Sequence, residues 1–332
     1  MARPLKDQTP VAAIPDQENE ATTRADQAER LPARIARYSR ARKRALAMQE
    51  YLGGLHKDKI ALEASGALKH CGNYLHFRNY YTANEIRLHS ARFCKQHLIC
   101  PLCAIRRGSK SLTAYLARYA LLQITHPTLS PYLITLTVRD GLDLAERFSH
   151  LQKSFKALQK KRHRWLSKTR GHPYTEFSMV HGAVGSYEVK IGSGSGLWHP
   201  HNHMIAMCPQ KPSQRTLRSE WETITKDSFM VDVRPLNQHD DPAEDFKEVF
   251  KYALKFSGLE PSDNWLAARL LAGSRLLFNF GVFRGVKIPD TLTDEPLEDL
   301  PYFDLFYRYF KESGYNLMPE GYFIQHPHKH PD

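Results

Sequence analysis

The sequence predicts an α+β fold in which a central antiparallel sheet is flanked by helices and accompanied by a small cysteine-rich module. The first observation behind this fold class is an alternation, after residue 113, of β-branched apolar segments with segments of helical periodicity. The second is the position of four of the five cysteines between residues 47 and 112, which is typical of a zinc-bound unit. At 332 residues the chain can bury a core without disulfide staples.

The charge balance favours a nucleic-acid partner. The chain has 47 Lys and Arg residues against 35 Asp and Glu residues, a formal net charge of +12. Such a surplus suits contact with phosphates, although a basic soluble protein without such a partner has the same signature. No apolar run approaches the roughly 20 residues of a membrane span, and no secretion signal is visible. We therefore expect a soluble, cytoplasmic protein without membrane contact or a disulfide framework.

Composition divides the chain into four predicted segments. Residues 1–46 are polar and end in a basic stretch, which predicts a disordered or basic N-terminal arm. Residues 47–112 are the Cys-rich module, in which aromatic and basic residues alternate as in a surface that faces nucleic acid. Residues 113–288 carry the strand and helix patterns of the main domain. Residues 289–332 are acidic and aromatic, and are predicted to be a C-terminal tail.

The main domain begins with a strand and a helix. Residues 132–138 are apolar and β-branched and lie between Ser130-Pro131 and Asp140-Gly141, which predicts a buried strand. Asp143 and Glu146 then form a capping-box-like helix start. The apolar residues that follow recur at steps of three and four, as on the buried face of a helix: Leu144, Phe148, Leu151, Phe155 and Leu158.

A hairpin and a further strand and helix complete the predicted domain. Residues 183–190 and 198–207 have strand patterns and are separated by a glycine-rich loop, so we expect them to pair as a hairpin. Residues 229–233 predict another strand. Asp241 and Pro242 then supply the N-cap and the first position of a helix that ends near Phe256.

The second strand of the hairpin carries a candidate metal site. Side chains alternate along a strand, so His201 and His203 point to the same face and can share one divalent ion. The alternative is a histidine-rich strand without a ligand. Ile205 and Met207 continue the same face as apolar anchors, which favours the metal site. The C-terminal histidines at 326, 328 and 330 lie between prolines with no strand after them, and are predicted not to form a site.

Two histidines leave a metal ion short of ligands. Glu188 lies on the neighbouring strand of the predicted hairpin and is the best candidate for a third ligand. Its carboxylate suits Mg²⁺ or Mn²⁺, the ions that we expect at the histidine site. A surface carboxylate without a ligand is the alternative for Glu188. His199 shares the histidine face but adjoins Pro200, and ranks lower.

The predicted helix after Pro242 carries a candidate nucleophile. Glu248, Tyr252 and Lys255 are three and four residues apart and share one helix face, opposite the apolar positions. A phenol near its usual pKa of about 10 is a poor nucleophile, so attack on phosphorus needs a nearby metal or cation. The histidine site offers the metal, and Lys255 or Lys251 offers the cation. A surface tyrosine with ordinary charge pairing is the alternative.

The Cys-rich module predicts a structural zinc site. Cys100 and Cys103 form a C-x-x-C knuckle, and Cys71 and Cys94 complete a Cys₄ set. A redox-active or metal-free pair is the alternative for the knuckle. Cys208 is left over and is expected to be a core thiol. The basic residues that follow the knuckle are predicted to contact DNA, together with Lys251: Arg106, Arg107 and Lys110.

Three sequence motifs together resemble those of single-tyrosine HUH endonucleases, in particular the rolling-circle replication initiators of small plasmids. They are Leu-Ile-Thr-Leu-Thr-Val (133–138), Trp-His-Pro-His-Asn-His-Met (198–204) and Lys-Tyr-Ala-Leu-Lys (251–255). The resemblance extends from about Cys71 to Arg284 and makes residues 113–288 the expected nicking domain. In one departure, Asn202 stands between the histidines where the family usually has an apolar residue.

The resemblance implies a mechanism and partners. It implies that His201 and His203 bind the metal, and that Tyr252 cuts the origin strand and becomes linked to the 5′-phosphate. Glu248 matches a position from which a carboxylate activates water for the terminating cleavage. The implied partners are plasmid origin DNA, single-stranded or in a hairpin at the nick, a host helicase, and a DNA polymerase that extends the free 3′-hydroxyl.

Two alternatives stay open at the level of the sequence. A transposase or relaxase of the HUH type performs similar nicking on a different element. A non-catalytic zinc-finger protein that binds nucleic acid needs only the cysteine module, and it predicts that replacing Tyr252 leaves all activity intact.

Overall fold

Two antiparallel sheets and six helices make up the described part of the chain, which confirms the predicted α+β class. The computed structural model describes residues 31–236, 246–247, 249–250 and 259–319. The helices with their bounds are α1 (Leu31–Gly53), α2 (Lys59–His70), α3 (Pro101–Thr125), α4 (Leu144–Leu166), α5 (Gln214–Thr225) and α6 (Pro261–Leu271). Among them, none combines the length and the apolar character that crossing a membrane requires.

Nine strands form the two sheets in these residues. The strands are β1 (Tyr74–Tyr80), β2 (Glu85–Ala91), β3 (Ser130–Thr137), β4 (Gly182–Ile191), β5 (Trp198–Cys208), β6 (Val231–Pro235), β7 (Leu277–Gly281), β8 (Phe303–Phe310) and β9 (Gly314–Leu317). The larger sheet has the order β6-β3-β5-β4-β7, and the smaller one has the order β2-β1-β8-β9. The histidine strand β5 is therefore the middle strand of the larger sheet.

The predicted elements of the main domain agree with the structure. Asp143 caps α4 by accepting hydrogen bonds from the N–H groups of Ala145 and Glu146 at 2.8 and 3.1 Å. Strands β4 and β5 pair as an antiparallel hairpin in which Glu188 lies opposite His201. Strand β6 begins two residues later than predicted, because its pairing with β3 ends at Val231.

Both faces of β5 are covered, and this gives the two sides of the sheet different roles. On one face Met204, Ala206 and Cys208 pack with apolar residues of α4 and α5. On the histidine face Ile205 and Met207 pack with a second core cluster that includes residues of α3. Because successive side chains alternate, this burial places His201 and His203 beside the second cluster.

The segment boundaries in the structure differ from those that composition suggests. Residues 31–46, the basic end of the predicted disordered or basic arm, belong to α1, whose buried stripe includes Tyr38 and Met48. Arg42 is buried and donates to the carbonyl oxygens of Leu68 and Lys69 at 2.7 Å, so part of the basic stretch is structural. Helix α3 runs through the boundary predicted at residue 112.

The predicted C-terminal tail contributes to the cysteine-bearing part of the fold. Strand β8 pairs along β1, and β9 extends the same sheet. Asp294 lies before β8 and forms ion pairs with Arg34, Arg106 and Lys110. Residues up to 319 are therefore packed against the module, and the histidines at 326, 328 and 330 lie outside the described residues.

Candidate metal centres

Three buried side chains converge on the histidine face of the larger sheet. Their relative exposures are 2% for Glu188, 3% for His201 and 9% for His203. Glu188 Oε1 lies 3.7 Å from His201 Nε2, and Glu188 Oε2 lies 3.8 Å from His203 Nε2. The ligand atoms of the three residues all lie within 4.8 Å of one another. These side chains therefore form a group that could hold a metal ion.

The separations fit a shared ion better than direct hydrogen bonds between these groups. A nitrogen and an oxygen that each bind one ion at about 2.1 Å stay within about 4.2 Å of each other. The distances of 3.7 and 3.8 Å fall inside this limit and lie beyond hydrogen-bonding range. Three protein ligands also leave coordination positions for water or a phosphate oxygen.

Neighbouring polar groups orient the two imidazoles. Thr135 Oγ1 lies 2.8 Å from His203 Nδ1, and the carbonyl oxygen of His199 lies 3.3 Å from His201 Nδ1. In both rings Nδ1 is thus engaged, and Nε2 is turned towards Glu188. Thr135 was not among the predicted site residues, although its place in a strand predicted to be buried was a usable signal.

His199 is held apart from the ligand group by Asp140. Its Nδ1 lies 2.5 Å from Asp140 Oδ1, and Ser195 Oγ donates to the other carboxylate oxygen at 2.5 Å. Burial opposes ionisation of Asp140, yet the hydrogen bonds from Ser195 and His199 leave its pKa below the usual value. Asp140 therefore joins the loop between β4 and β5 to the start of the histidine strand.

The proposed nucleophile and its neighbours lie outside the described residues. These are Glu248, Lys251, Tyr252 and Lys255. Residues 246, 247, 249 and 250 are described and helical. Phe246, Val249 and Phe250 are buried in the core cluster on the histidine face of the sheet.

Several contacts attach residues 246–250 to this face. Ser186 lies opposite His203 on β4, and its Oγ donates to the carbonyl oxygen of Val249 at 2.6 Å. The Phe250 ring stacks on Tyr115 of α3 with centroids 5.3 Å apart. At Gly108 of α3 a Cβ would lie 2.7 Å from the Phe250 carbonyl oxygen, so this close approach requires glycine. Ser186 was not predicted as a site residue, although it lies two residues before Glu188 and shares its face.

The four cysteines of the module form a second cluster. Cys71 Sγ lies 3.5 Å from both Cys100 Sγ and Cys103 Sγ, and Cys94 Sγ lies 3.6 Å from Cys103 Sγ. Four thiolates around a tetrahedral Zn²⁺ with Zn–S bonds of about 2.3 Å are about 3.8 Å apart. Hydrogen bonds within the cluster, led by Cys100 and Cys103, lower the pKa of the Cys94 thiol. The donor set and its spacing fit a zinc ion.

Local backbone features bring these cysteines together. Cys71 ends α2, and Gly72 has φ +66° where a Cβ would lie 2.2 Å from Leu102 Cδ2. Cys100 is the N-cap of α3, with Pro101 in the first turn, so two of the sulfurs lie at a helix N-terminus. The helix dipole favours negative charge there, which suits thiolate ligands. Cys208 lies elsewhere in the core, where burial raises the pKa of its thiol to about 12.

Two of the predicted DNA contacts are interior residues. Arg106 is fully buried, donates to the Leu292 carbonyl oxygen at 2.7 Å and forms an ion pair with Asp294. Lys110 Nζ lies 3.6 Å from the same carboxylate. Burial opposes the charge of Asp294, but these cations and Arg34 hold its pKa well below the usual range. Arg106 and Lys110 thus stabilise the module from within, and only Arg107 of the three is exposed.

Asn202, the departure from the family pattern, is buried on the opposite face of β5. Its side chain is fully inaccessible, and neither amide atom has a hydrogen-bond partner in the described structure. The amide faces the core shared with α4 and α5, away from the Glu188 carboxylate. Its position is therefore compatible with metal binding at the histidines.

A known protein family matches this chain. A family model described as a replication protein matches residues 85–302, which is more than half of the chain and contains Glu188, His201 and His203. The chain therefore belongs to this family of replication proteins. The match confirms the resemblance to rolling-circle plasmid replication initiators. No curated protein and no solved structure was found to match the chain.

Proposed function

We propose that this replication initiator cuts one strand of its plasmid origin with Tyr252 at the Glu188/His201/His203 group. The observation that supports the proposal is the packing of residues 246–250 on the same sheet face as these three side chains. Tyr252 follows Phe250 by two residues, so two peptide units join it to this face. The proposal therefore puts the candidate nucleophile close to the buried histidines.

In the proposed reaction the Tyr252 phenolate attacks the phosphorus at the nick site. The new O–P bond forms as the bond from phosphorus to the 3′-oxygen breaks, and the 3′-oxygen takes a proton to give a hydroxyl. The DNA 5′-phosphate remains linked to the tyrosine. The exposed 3′-hydroxyl is the primer that a host DNA polymerase would extend after a helicase separates the strands. Energy is conserved in the phosphotyrosine bond, so the reverse attack can rejoin the strand.

The residues of the site divide the work in this proposal. Glu188, His201 and His203 would hold Mg²⁺ or Mn²⁺, which supplies positive charge to the scissile phosphate and lowers the cost of forming a phenolate. Lys255 or Lys251 would neutralise a phosphate oxygen near Tyr252. Glu248 would accept a proton from water in the terminating cleavage.

The cysteine cluster has a structural part in this proposal. Zn²⁺ held by Cys71, Cys94, Cys100 and Cys103 would tie the end of α2 to the start of α3. Helix α3 continues to the histidine face, where Tyr115 and Gly108 contact Phe250. Arg107 at the exposed surface of α3 would contact the DNA backbone.

The experiment is a nicking assay with supercoiled plasmid that carries the cognate origin, with or without added Mn²⁺. We expect wild type to produce open circles with protein on the 5′ end, only with the metal. Tyr252→Phe should abolish the product, whereas Tyr302→Phe, at an exposed tyrosine just before β8, should not. Equal nicking by wild type and Tyr252→Phe contradicts the proposed nucleophile. Origin binding without nicking by either protein contradicts the enzyme and favours the zinc-finger alternative.

A further inference from the structure

Helix α4 and the residues after it carry a large part of the net positive charge of the protein. Between residues 151 and 172 the chain has eight Lys and Arg residues and no Asp or Glu. The formal net charge of the whole chain is +12, so this short stretch supplies most of the surplus. Seven of these cations form what we call the α4 basic surface: Lys153, Lys156, Lys160, Lys161, Arg164, Lys168 and Arg170.

The surface is accessible, and its charges are not neutralised by carboxylates of the described residues. Six of its residues are exposed and Arg164 is half-buried. Within the described ranges none of the seven forms an ion pair. The eighth cation, Arg162, has a different role, since its Nε donates to the Val180 carbonyl oxygen at 2.7 Å and its guanidinium lies over Phe280.

Helical spacing aligns the charges in a row. Lys153, Lys156, Lys160 and Arg164 follow one another at steps of three, four and four, so they share the outer face of α4. The buried face of the helix is the stripe from Leu144 to Leu158 that packs on the sheet. From Lys153 to Arg164 the row spans about 17 Å at 1.5 Å per residue. A rigid row of this length matches several successive phosphates of a nucleic-acid strand.

An aromatic pair lies at the end of this row. Trp165 is 39% exposed and Tyr174 is 49% exposed, and their rings meet edge to face with centroids 5.4 Å apart. Aromatic residues with one polar end are typical of surfaces that become covered. Together with unpaired cations they favour a nucleic-acid partner for this surface over open solvent.

We propose that the α4 basic surface binds the phosphate backbone of duplex DNA that flanks the nick site. The proposal rests on the proposed function in one respect, namely that the nick is made at the group that contains Glu188. Helix α4 covers the sheet face opposite the histidines, and its Arg162 reaches Val180 just before β4. The middle of the helix lies level with the site, since Phe155 contacts Tyr187, the residue before Glu188, with ring centroids 6.2 Å apart.

The α4 basic surface and the histidine group therefore lie on opposite faces of the same sheet. DNA that occupies both must pass around an edge of the sheet.

The test compares two triple variants that lose the same charge. The first is Lys156→Gln/Lys160→Gln/Arg164→Gln on the α4 basic surface. The matched control is Arg40→Gln/Lys43→Gln/Arg44→Gln, at exposed cations of α1. Both are made in the Tyr252→Phe background, and binding to a labelled 30-base-pair origin duplex is measured without added Mg²⁺ or Mn²⁺ over a series of salt concentrations. The result therefore depends neither on cleavage nor on the metal.

We expect the α4 variant to bind the duplex at least tenfold more weakly at 0.1 M salt. The slope of log K against log salt concentration should fall in magnitude by about 2 to 3, because each lost phosphate contact removes about 0.9. The control should keep the slope of the parent protein.

Two outcomes overturn the proposal. They are an unchanged slope in the α4 variant and an equal change in both variants. A surface that binds an acidic protein instead of DNA gives the first of these. Failure of the nicking assay with intact, salt-sensitive binding through α4 would contradict the proposed function alone. Circular dichroism and thermal unfolding of both variants should match the parent, since all six side chains project from the core.

Discussion

Thr135 Oγ1 lies 2.8 Å from His203 Nδ1, across the pairing of β3 with β5. When Nε2 of His203 binds a metal, Nδ1 carries the proton and donates it to the threonine oxygen. The hydroxyl thereby selects the tautomer and the ring orientation that direct Nε2 towards Glu188. Groups of this kind commonly change metal affinity by about 10- to 100-fold when they are removed.

Replacing Thr135 with valine should therefore weaken Mn²⁺ binding by about tenfold. The change preserves the shape of the side chain and leaves His203 free to rotate. Calorimetric titration of the protein with Mn²⁺ measures the effect without DNA. Thr137→Val, on the same strand and the same face, is the control and should bind Mn²⁺ as wild type does. Equal affinities of the wild type and the Thr135→Val variant would contradict the orienting role.

Ser186→Ala should separate nicking from metal binding. The Ser186 hydroxyl holds the carbonyl oxygen of Val249 at 2.6 Å, three residues before Tyr252. Its loss should shift the nucleophile, and small displacements at a reacting centre cost up to about 100-fold in rate. We expect nicking of a single-stranded origin oligonucleotide to slow about tenfold, with unchanged Mn²⁺ affinity.

The control for this variant is Ser154→Ala, a buried serine of α4 on the other side of the sheet. It should retain the wild-type nicking rate. A parallel loss of nicking and of Mn²⁺ affinity in Ser186→Ala would show a general disturbance of the sheet and would count against the positioning role.

The sequence was sufficient to predict the parts of the site that depend on local periodicity. The two-residue alternation placed His201 and His203 on one face, and the hairpin prediction placed Glu188 on the adjacent strand, where it lies opposite His201. Linear patterns could not predict which face of α3 is buried. Arg106 and Lys110 are four residues apart and point inward together, whereas Arg107 points outward.

Long-range pairing was the other part that the sequence did not disclose. One of the two strands that pair with β1 in the smaller sheet is β8, more than 200 residues later. The segment that contains β8 begins with acidic and aromatic residues, and this composition suggested a tail. No local feature of the sequence indicates which strand will pair with it. The ion pairs of Asp294 could not be predicted for the same reason, because Arg34 and Arg106 come from distant helices.

Asn202→Leu should stabilise the protein. The amide is buried without a hydrogen-bond partner in the described structure, and such a group costs about 1–3 kcal/mol. We expect the free energy of unfolding in urea to rise by about 1–2 kcal/mol, with unchanged Mn²⁺ affinity. Asn264→Leu is the matched comparison, because the Asn264 amide is also buried but donates to the Leu98 carbonyl oxygen at 3.1 Å. That variant should lose stability, and a loss in both would refute the assignment of Asn202 as unpaired.

Asp294→Asn should destabilise the protein in a pH-dependent manner. Burial opposes the Asp294 carboxylate, but Arg106, Arg34 and Lys110 hold its pKa well below the usual value. A lowered pKa in the folded state contributes stability above the unfolded pKa of about 3.9, and this contribution is lost as the pH falls. Removing one partner from buried charges costs about 3–5 kcal/mol. We expect a loss of that order in urea unfolding at pH 7 and a smaller loss near pH 3. A loss that is independent of pH would contradict the ion-pair explanation.

Removal of the cysteine-bound ion should affect folding before it affects chemistry. If Zn²⁺ ties Cys71 at the end of α2 to Cys103 in the first turn of α3, its loss leaves thiols 3.5 Å apart without a bridge. Elemental analysis of the purified protein should find one zinc per chain, and Cys103→Ser should lose it together with much of the thermal stability.

Cys208→Ser, at the buried cysteine outside the cluster, should retain the zinc. In the Glu188→Gln variant the zinc content should also stay at one per chain, because the histidine group is a separate site. A protein that contains no zinc and unfolds at the same temperature as the Cys103→Ser variant would exclude the structural role. The cluster would then have to be explained as a set of reduced core thiols.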